Sequence, residues 1–514
     1  MKRIIGAFFL MVAMASSSLA FELSFLRDFP VDAKAITAVE FDGTGHLLAC
    51  GTNEGQVIVT DVIAGDTVFS TRKPDKDVTA LAFDAKSRYL VTGSRDHSII
   101  IWDIDARKPE KIIKDFGDDV AHLEVSPDGR YLAACGSKKE IMLWEFPSGF
   151  PRGALKGHDK DVVFCGFSAD GSRIVSVGED GKIIVWDLKK LSPIRENEIA
   201  AHTLTNSGLD IVSASLSDDR RFLAVGIEEH VLAKGGRRME FRHNIAFYDW
   251  NTGTLLKVLE GNNKRIDQLS LSPDLCYVLT DNSPMHSHEL AFWDILGGVI
   301  ETTYPIDGDI TGFDMSMDGN HLAVAYTGEA KGAHVALWDV TGVGGYAPPA
   351  SGTATPLAET GFGGTISLTG PDTAILADAS PHTLAVLYLD AYGIDDGISH
   401  MITDELEGKL VNNAPCLKVI ERNRIDVILK ELKFAQSGMT DQRAIQIGKE
   451  LEAEYLLYGN VRKTGHDLTI SVKMVQVESS QIVGTRGVTC TNASLRDISK
   501  MVSYLTPTIA ACGR

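Results

Sequence analysis

Four side chains in the middle of this 514-residue chain, His158, Ser176, Asp180 and Trp186, include the imidazole, hydroxyl and carboxylate from which nucleophilic catalysis is assembled. The tryptophan argues for another reading. A buried indole N–H and a buried imidazole each need a partner, and an aspartate in a short turn supplies one, so these residues read as architecture. A second group, Met285-His286-Ser287-His288-Glu289, sets a thioether beside two imidazoles, donors that suit copper or nickel. Histidine pairs in loops are ordinarily solvated, and no metal is assigned there. A third group, Lys234, Arg237, Arg238, Arg242 and His243 with Met239 and Phe241 interleaved, offers cations and apolar anchors to an acidic protein surface. Of these, Arg237, Arg238, Met239, Phe241, Arg242 and His243 are the expected partner-binding residues. The sequence holds no Gly-x-Ser-x-Gly elbow, no Gly-Lys-Ser or Gly-Lys-Thr phosphate loop and no His-Glu-x-x-His pair. Catalytic, cofactor-binding and metal residues are therefore expected to be none, and the chain is read as a non-enzyme.

Seven cysteines (50, 135, 165, 276, 416, 490 and 512) lie without a Cys-x-x-Cys pair, which argues against a zinc ribbon or a dithiol redox site. Cys50 and Cys135 sit in equivalent Ala-Cys-Gly contexts and read as buried small apolar positions. Cys416, Cys490 and Cys512 fall in the last hundred residues, where one disulfide is expected with its pairing open.

The elements that carry these residues recur. Between residues 35 and 340 an alternating strand, a turn, a second strand, a turn and a third strand end in a hydrophobic-acidic or similar pair: Thr60-Asp61, Trp102-Asp103, Trp144-Glu145, Trp186-Asp187, Tyr248-Asp249, Trp293-Asp294 and Trp338-Asp339. The acidic residues are spaced 42, 42, 42, 62, 45 and 45 apart, the period of four-stranded propeller blades. Turn chemistry agrees, with Ser126-Pro127-Asp128-Gly129, Ser168-Ala169-Asp170-Gly171, Ser217-Asp218-Asp219-Arg220 and Ser316-Met317-Asp318-Gly319 between first and second strands. The residues after Asp339 make a poor fourth strand, so Glu22 to Phe29, a strand with no repeat of its own, is expected to close the ring. Extra length enters at about residues 228 to 243, 281 to 289 and 326 to 334, neighbouring connections on one rim.

These repeats resemble the WD40 family over roughly residues 22 to 340. The family's His, Ser or Thr, Asp and Trp tetrad matches at His158, Ser176, Asp180 and Trp186; Thr92, Asp96 and Trp102 match three places, with Pro74 where the histidine would be. The resemblance implies a seven-bladed WD40-type β-propeller and a role in protein interaction.

The ends differ from the repeats. Residues 1–20 run Lys2-Arg3, an apolar stretch, then Ser16-Ser17-Ser18-Leu19-Ala20, the order of a secretory signal peptide cut after Ala20. Phe21 follows, so no lipidation cysteine is indicated. Residues 341–382, rich in Gly, Pro and Thr, read as a linker. Residues 383–510 alternate strand and helix periods, giving a small α/β domain. Its run Val419-Ile420-Glu421-Arg422-Asn423-Arg424-Ile425-Asp426, with Gly448-Lys449-Glu450-Leu451 and Leu457-Tyr458-Gly459-Asn460-Val461, resembles the CsgG family and its LpoB-type relatives, similar in fold to the amino-terminal domain of TolB. Glu421, Arg422 and Arg424 read as helix-start capping and a local ion pair.

At 44% hydrophobic and 23% charged, the composition excludes a disordered polymer and a multi-span membrane protein. A net charge of −19 removes nucleic acid as a general partner. The expected fold is multidomain β and α/β, and the expected function is a periplasmic scaffold binding other proteins of the cell envelope, in assembly, secretion or surface-structure biogenesis. The alternatives are a secreted propeller enzyme using the central cavity, or a subunit of an outer-membrane secretion assembly.

Overall fold

Period-two alternation becomes strands almost throughout the computed structural model, which describes residues 22–114, 116–198, 209–232, 239–262, 266–282, 288–328, 332–341, 366–369, 374–376, 381–431, 439–491 and 493–510. The expected signal peptide, Arg237, Arg238, the Met285 to Ser287 part of the soft-donor cluster, Cys512 and most of 341–382 lie outside these residues. Seven four-stranded antiparallel sheets form: 36–72, 78–113, 120–156, 162–198, 209–262, 269–305, and a seventh from 309–341 completed by Glu22–Val31. First strands of successive blades touch in order and the seventh touches the first, so the ring closes around an axis that these strands line.

Closure uses the expected segment. Glu22–Val31 pairs antiparallel with Gly332–Thr341, Glu22 opposite Thr341 and Val31 opposite Ala333. Phe29 and Val31 pack against the cluster of Val335, Leu337 and Ile36. Phe25 meets the Trp338 ring edge-on at 5.4 Å, and Asp28 lies 2.9 Å from His334. A sheet edge that would otherwise be free to template association is thereby covered.

The Ser-x-Asp turns repeat one device. Ser126, Ser168, Ser217, Ser272 and Ser316 each donate to the aspartate two residues on at 2.6–2.7 Å. Each hydroxyl also accepts the backbone N–H five residues on, at 2.9–3.0 Å. The Ser272 turn belongs with the others.

The C-terminal region is α/β. Its helices are α1 (Asp396–Asn413), α2 (Arg422–Glu431), α3 (Asp441–Glu450) and α4 (Leu495–Ile509). Its sheet runs Ile366–Thr369, Gln481–Cys490, Asp467–Gln476, Tyr455–Thr464, His382–Val386, Leu417–Val419, with Asp390–Tyr392 also on Tyr455–Thr464. Thr440 caps α3 by accepting the Arg443 N–H, and Ser494 with Asp497 forms a capping box on α4. Ile366–Thr369, inside the segment read as linker, is the sheet's edge strand. Cys416 is disulfide-bonded, whereas Cys490 is a free, buried thiol. Arg422 donates to the Val386 carbonyl at 2.7 Å and pairs with Glu407 of α1, so its ion pair ties two elements together rather than capping its own helix.

One hydrophobic cluster runs from Leu256, Trp293 and Leu296 of blades five and six into Ile398, Ile402 and Leu406 of α1. Polar contacts ring it: Lys463 with Asp294, His466 with Glu301 at 3.4 Å, Arg221 with Glu405 at 3.7 Å and Arg496 with Asp219 at 4.0 Å. The propeller residues in these pairs sit at or beside first-to-second and third-to-fourth turns, so the α/β region docks on that rim.

Candidate functional site

Strand register fixes what each blade's tryptophan can reach. In blade four, His158 Nδ1 lies 3.0 Å from Asp180, His158 Nε2 lies 2.8 Å from Ser176 Oγ, and Trp186 Nε1 donates to the same hydroxyl at 2.8 Å. Burial holds the His158 pKa below its ordinary value against the pull of Asp180. Burial raises Asp180, but the Asp159 N–H and His158 outweigh it and hold the carboxyl low. The hydroxyl row, two residues past the partner of the tryptophan, decides the outcome elsewhere. Trp102 finds Thr92 at 3.0 Å and Trp293 finds Thr280 at 3.1 Å. Trp144 and Trp338, whose rows hold Ala134 and Val324, have buried N–H groups without a partner. These sets are architecture, and the serine oxygen they contain is already engaged.

Cys50 and Cys135 are both buried, as expected, and the same register puts them on opposite faces of their sheets. Cys50 faces Ile58 and shares the row of Ser176, which faces Ile184. Cys135 lies directly opposite His122, the place Gly51 takes opposite Ala38. A one-residue offset sends a side chain to the other face of the sheet, so Cys50 and Cys135 are not equivalent positions. The offset is legible in the chain: Cys50 precedes Asp61 by 11 residues and Cys135 precedes Glu145 by 10.

Around the axis, the last-but-one residue of the first strands reads Glu40, Ala82, Glu124, Gly166, Ser215, Ser270 and Asp314. The three carboxylates accept backbone N–H groups one blade onward. Asp314 takes Phe41 at 2.8 Å, Glu124 takes Phe167 at 2.8 Å, and Glu40 takes Phe83. Arg220, from the blade-five turn, pairs with Glu124 and its charge also reaches Glu40. Burial raises Glu40, pushes Asp314 up to about 7 and Asp218 up to about 6. Sequence reasoning missed this convergence, because it shows only when the repeats are aligned strand by strand. Blade-to-blade clamping accounts for all three carboxylates.

The long blade-five connection is mostly a β-hairpin. Phe222–Leu232 pairs with Met239–Asp249, which extends the second and third strands past the blade on the rim away from the α/β region. Phe241 is 54% exposed and meets His230 edge-on at 5.0 Å, and Arg242 is also exposed. His243 is buried, 3.6 Å from Glu228, and Arg242 stands opposite Glu229 in the register. The stem thus places Phe241 and Arg242 outward and His243 inward, with Met239 at its far end. Blade seven is lengthened likewise, His321–Gly328 against Gly332–Thr341. In the soft-donor cluster, His288 lies 3.2 Å from Asp309.

Comparison with known proteins agrees with this architecture. The WD domain, G-beta repeat family matches residues 65–103, 108–145 and 149–187, each unit joining one blade's outer strand to the next blade's first three. Residues 22–341 thus form a seven-bladed β-propeller that carries WD40 repeats at the three matched units. Among solved structures the chain is similar to the Cps50 (Swd1) β-propeller domain of Myceliophteria thermophila, at 18% identity and a TM-score of 0.50, over 62% of this chain and 100% of that one. An identity so low speaks for the fold alone. No curated protein matches the chain.

Proposed function

We propose that this WD40 propeller is a non-enzymatic, exported scaffold that docks other proteins of the cell envelope, with the blade-five hairpin as its docking surface. The observation that carries the reading is that, among the described residues, the α/β region packs on the opposite rim from this hairpin. The α/β region occupies one side of blades five and six, while the hairpin on the other side presents Phe241 and Arg242 outward, next to Arg237 and Arg238 in sequence. Long connections on a rigid scaffold are where binding concentrates. Export is supported by the order of residues 1–20, and an envelope setting by the CsgG-like motifs of 383–510. Among the described residues, no helix is long and apolar enough to cross a membrane. The partner presents an acidic surface with an apolar recess. Replacing Arg237 and Arg238 with Glu and Phe241 with Ala should weaken capture of envelope proteins, most at low salt, with an unchanged melting temperature. Equal capture by variant and parent contradicts the assignment.

A further inference from the structure

Between blades three and four, three soft donors converge on a place where the repeat needs none. His122 lies on Val120–Val125, the first strand of blade three, and Cys135 directly opposite it on Tyr131–Gly136. Cys165 comes from Val162–Phe167, the first strand of blade four. The two sulfurs and an imidazole nitrogen all lie within 4.8 Å of one another. Both thiols are fully buried and neither is in a disulfide.

Register shows what these positions hold elsewhere in the ring. The place of His122 is Ala38, Ala80, Phe164, Ser213 and Gly312 in other blades. That of Cys135 is Gly51, Gly93, Val177, Gly226 and Ala325. That of Cys165 is Val39, Leu81, Leu123, Ala214 and Phe313. In blade six the first two places hold Gln268 and Asp281, whose carboxylate accepts the Gln268 N–H at 2.8 Å, and the third holds Leu269. In the five blades above small or apolar residues satisfy the architecture, and only the seam between blades three and four carries an imidazole with two thiols. A second observation points the same way: His122 Nδ1 is buried and makes no hydrogen bond of its own, and the side-chain partner that the imidazole does have is the Cys165 thiol.

We propose that His122, Cys135 and Cys165 form a zinc(II) site at the seam between blades three and four. Two thiolates and an imidazole are the donor set of a three-ligand zinc centre whose fourth position takes water. His122, on an axis-lining strand and only half-buried, is the side from which the ion and that water enter. As the sulfurs coordinate, each thiol releases its proton to solvent and the ion's charge is offset by two thiolates. Because the donors come from both blades, the bound ion cross-links them.

The test uses the full chain, purified under a non-thiol reductant and freed of metal. Zinc(II) should bind at one equivalent and raise the melting temperature, and cobalt(II) should give the sulfur-to-metal charge-transfer band and tetrahedral absorption of thiolate ligation. Cys135→Ala with Cys165→Ala should abolish both signals, while Cys50→Ala with Cys276→Ala keeps them. His122→Asn, which leaves the buried thiols in place, should weaken zinc by more than the roughly 10–100-fold that outer-shell changes cost. If the double-alanine chain does not fold, His122→Asn decides. Absence of one-equivalent binding, retention of the cobalt spectrum in a folded double-alanine chain, unchanged zinc affinity in His122→Asn, or a Cys135–Cys165 disulfide found by peptide mapping of the isolated protein would each overturn the site.

Discussion

At the scale of single residues, the hydroxyl row governs which tryptophans are satisfied, and this can be read as energy. Trp144 has a buried indole N–H with no partner, and Ala134 occupies the place that Ser176 fills for Trp186. Ala134→Ser should supply the acceptor and stabilise the chain by about 1 kcal/mol. Thermal melting checks it, and the mirror change, Ser176→Ala, should cost about 1–3 kcal/mol by stranding both Trp186 and His158. Asp314 sets a pH dependence of definite sign. Its carboxyl titrates at about 7 in the folded chain against an ordinary 3.8, so between those values the folded state holds a proton that the unfolded chain has released. The stabilisation is complete below pH about 4 and is lost as pH rises through about 7. Asp314→Asn should flatten the fall in melting temperature over that window without abolishing it, because Glu40 and Asp218 are raised in the same direction. An unchanged profile would place the proton elsewhere.

At the scale of elements, the sequence carries a great deal, because a propeller repeats its instructions. Acidic strand ends at 42-residue intervals, Ser-x-Asp turns and a leftover strand at Glu22 together specify blades, rim and closure. Deleting Glu22 to Phe29 should lower the melting temperature, by less per kcal/mol than the roughly 2–4 °C of a 150–250-residue domain because the propeller is larger, and should promote association through the bared Gly332–Thr341 edge. Light scattering and melting curves together check it. What the chain did not reveal depends on register. Blade five's 62-residue spacing shows extra length but not that most of it pairs as a hairpin, nor that His243 turns inward to Glu228 while Phe241 and Arg242 turn out. The axis carboxylates were hidden for the same reason. Glu40, Glu124 and Asp314 are ordinary acidic residues until strand alignment puts them in one row.

At the scale of the molecule, hydrophobic periodicity announced an α/β region but not its seat. Docking depends on residues that look unremarkable in a linear reading. A Cβ on Gly397 would come 2.1 Å from the Leu256 carbonyl, so α1 can approach blade five only with glycine there. Lys463 and Asp294, 6% and 16% exposed, form the buried ion pair of the junction. Lys463→Met removes the cation paired with Asp294, leaves Lys257 as the remaining charge near it, and should cost about 1–3 kcal/mol. Limited proteolysis should then cut between 341 and 382 sooner than in the parent chain, and equal cleavage rates would show that the apolar cluster alone holds the two parts together. The proposed scaffold role stands on the rim opposite this junction being the surface that other proteins recognise. Cross-linking mass spectrometry of the full chain in the cells that make it tests it most directly. The account predicts inter-protein cross-links concentrated on residues 228 to 243, lost when Arg237 and Arg238 are replaced by Glu and Phe241 by Ala; cross-links confined to the α/β region, or undiminished in that variant, would contradict it.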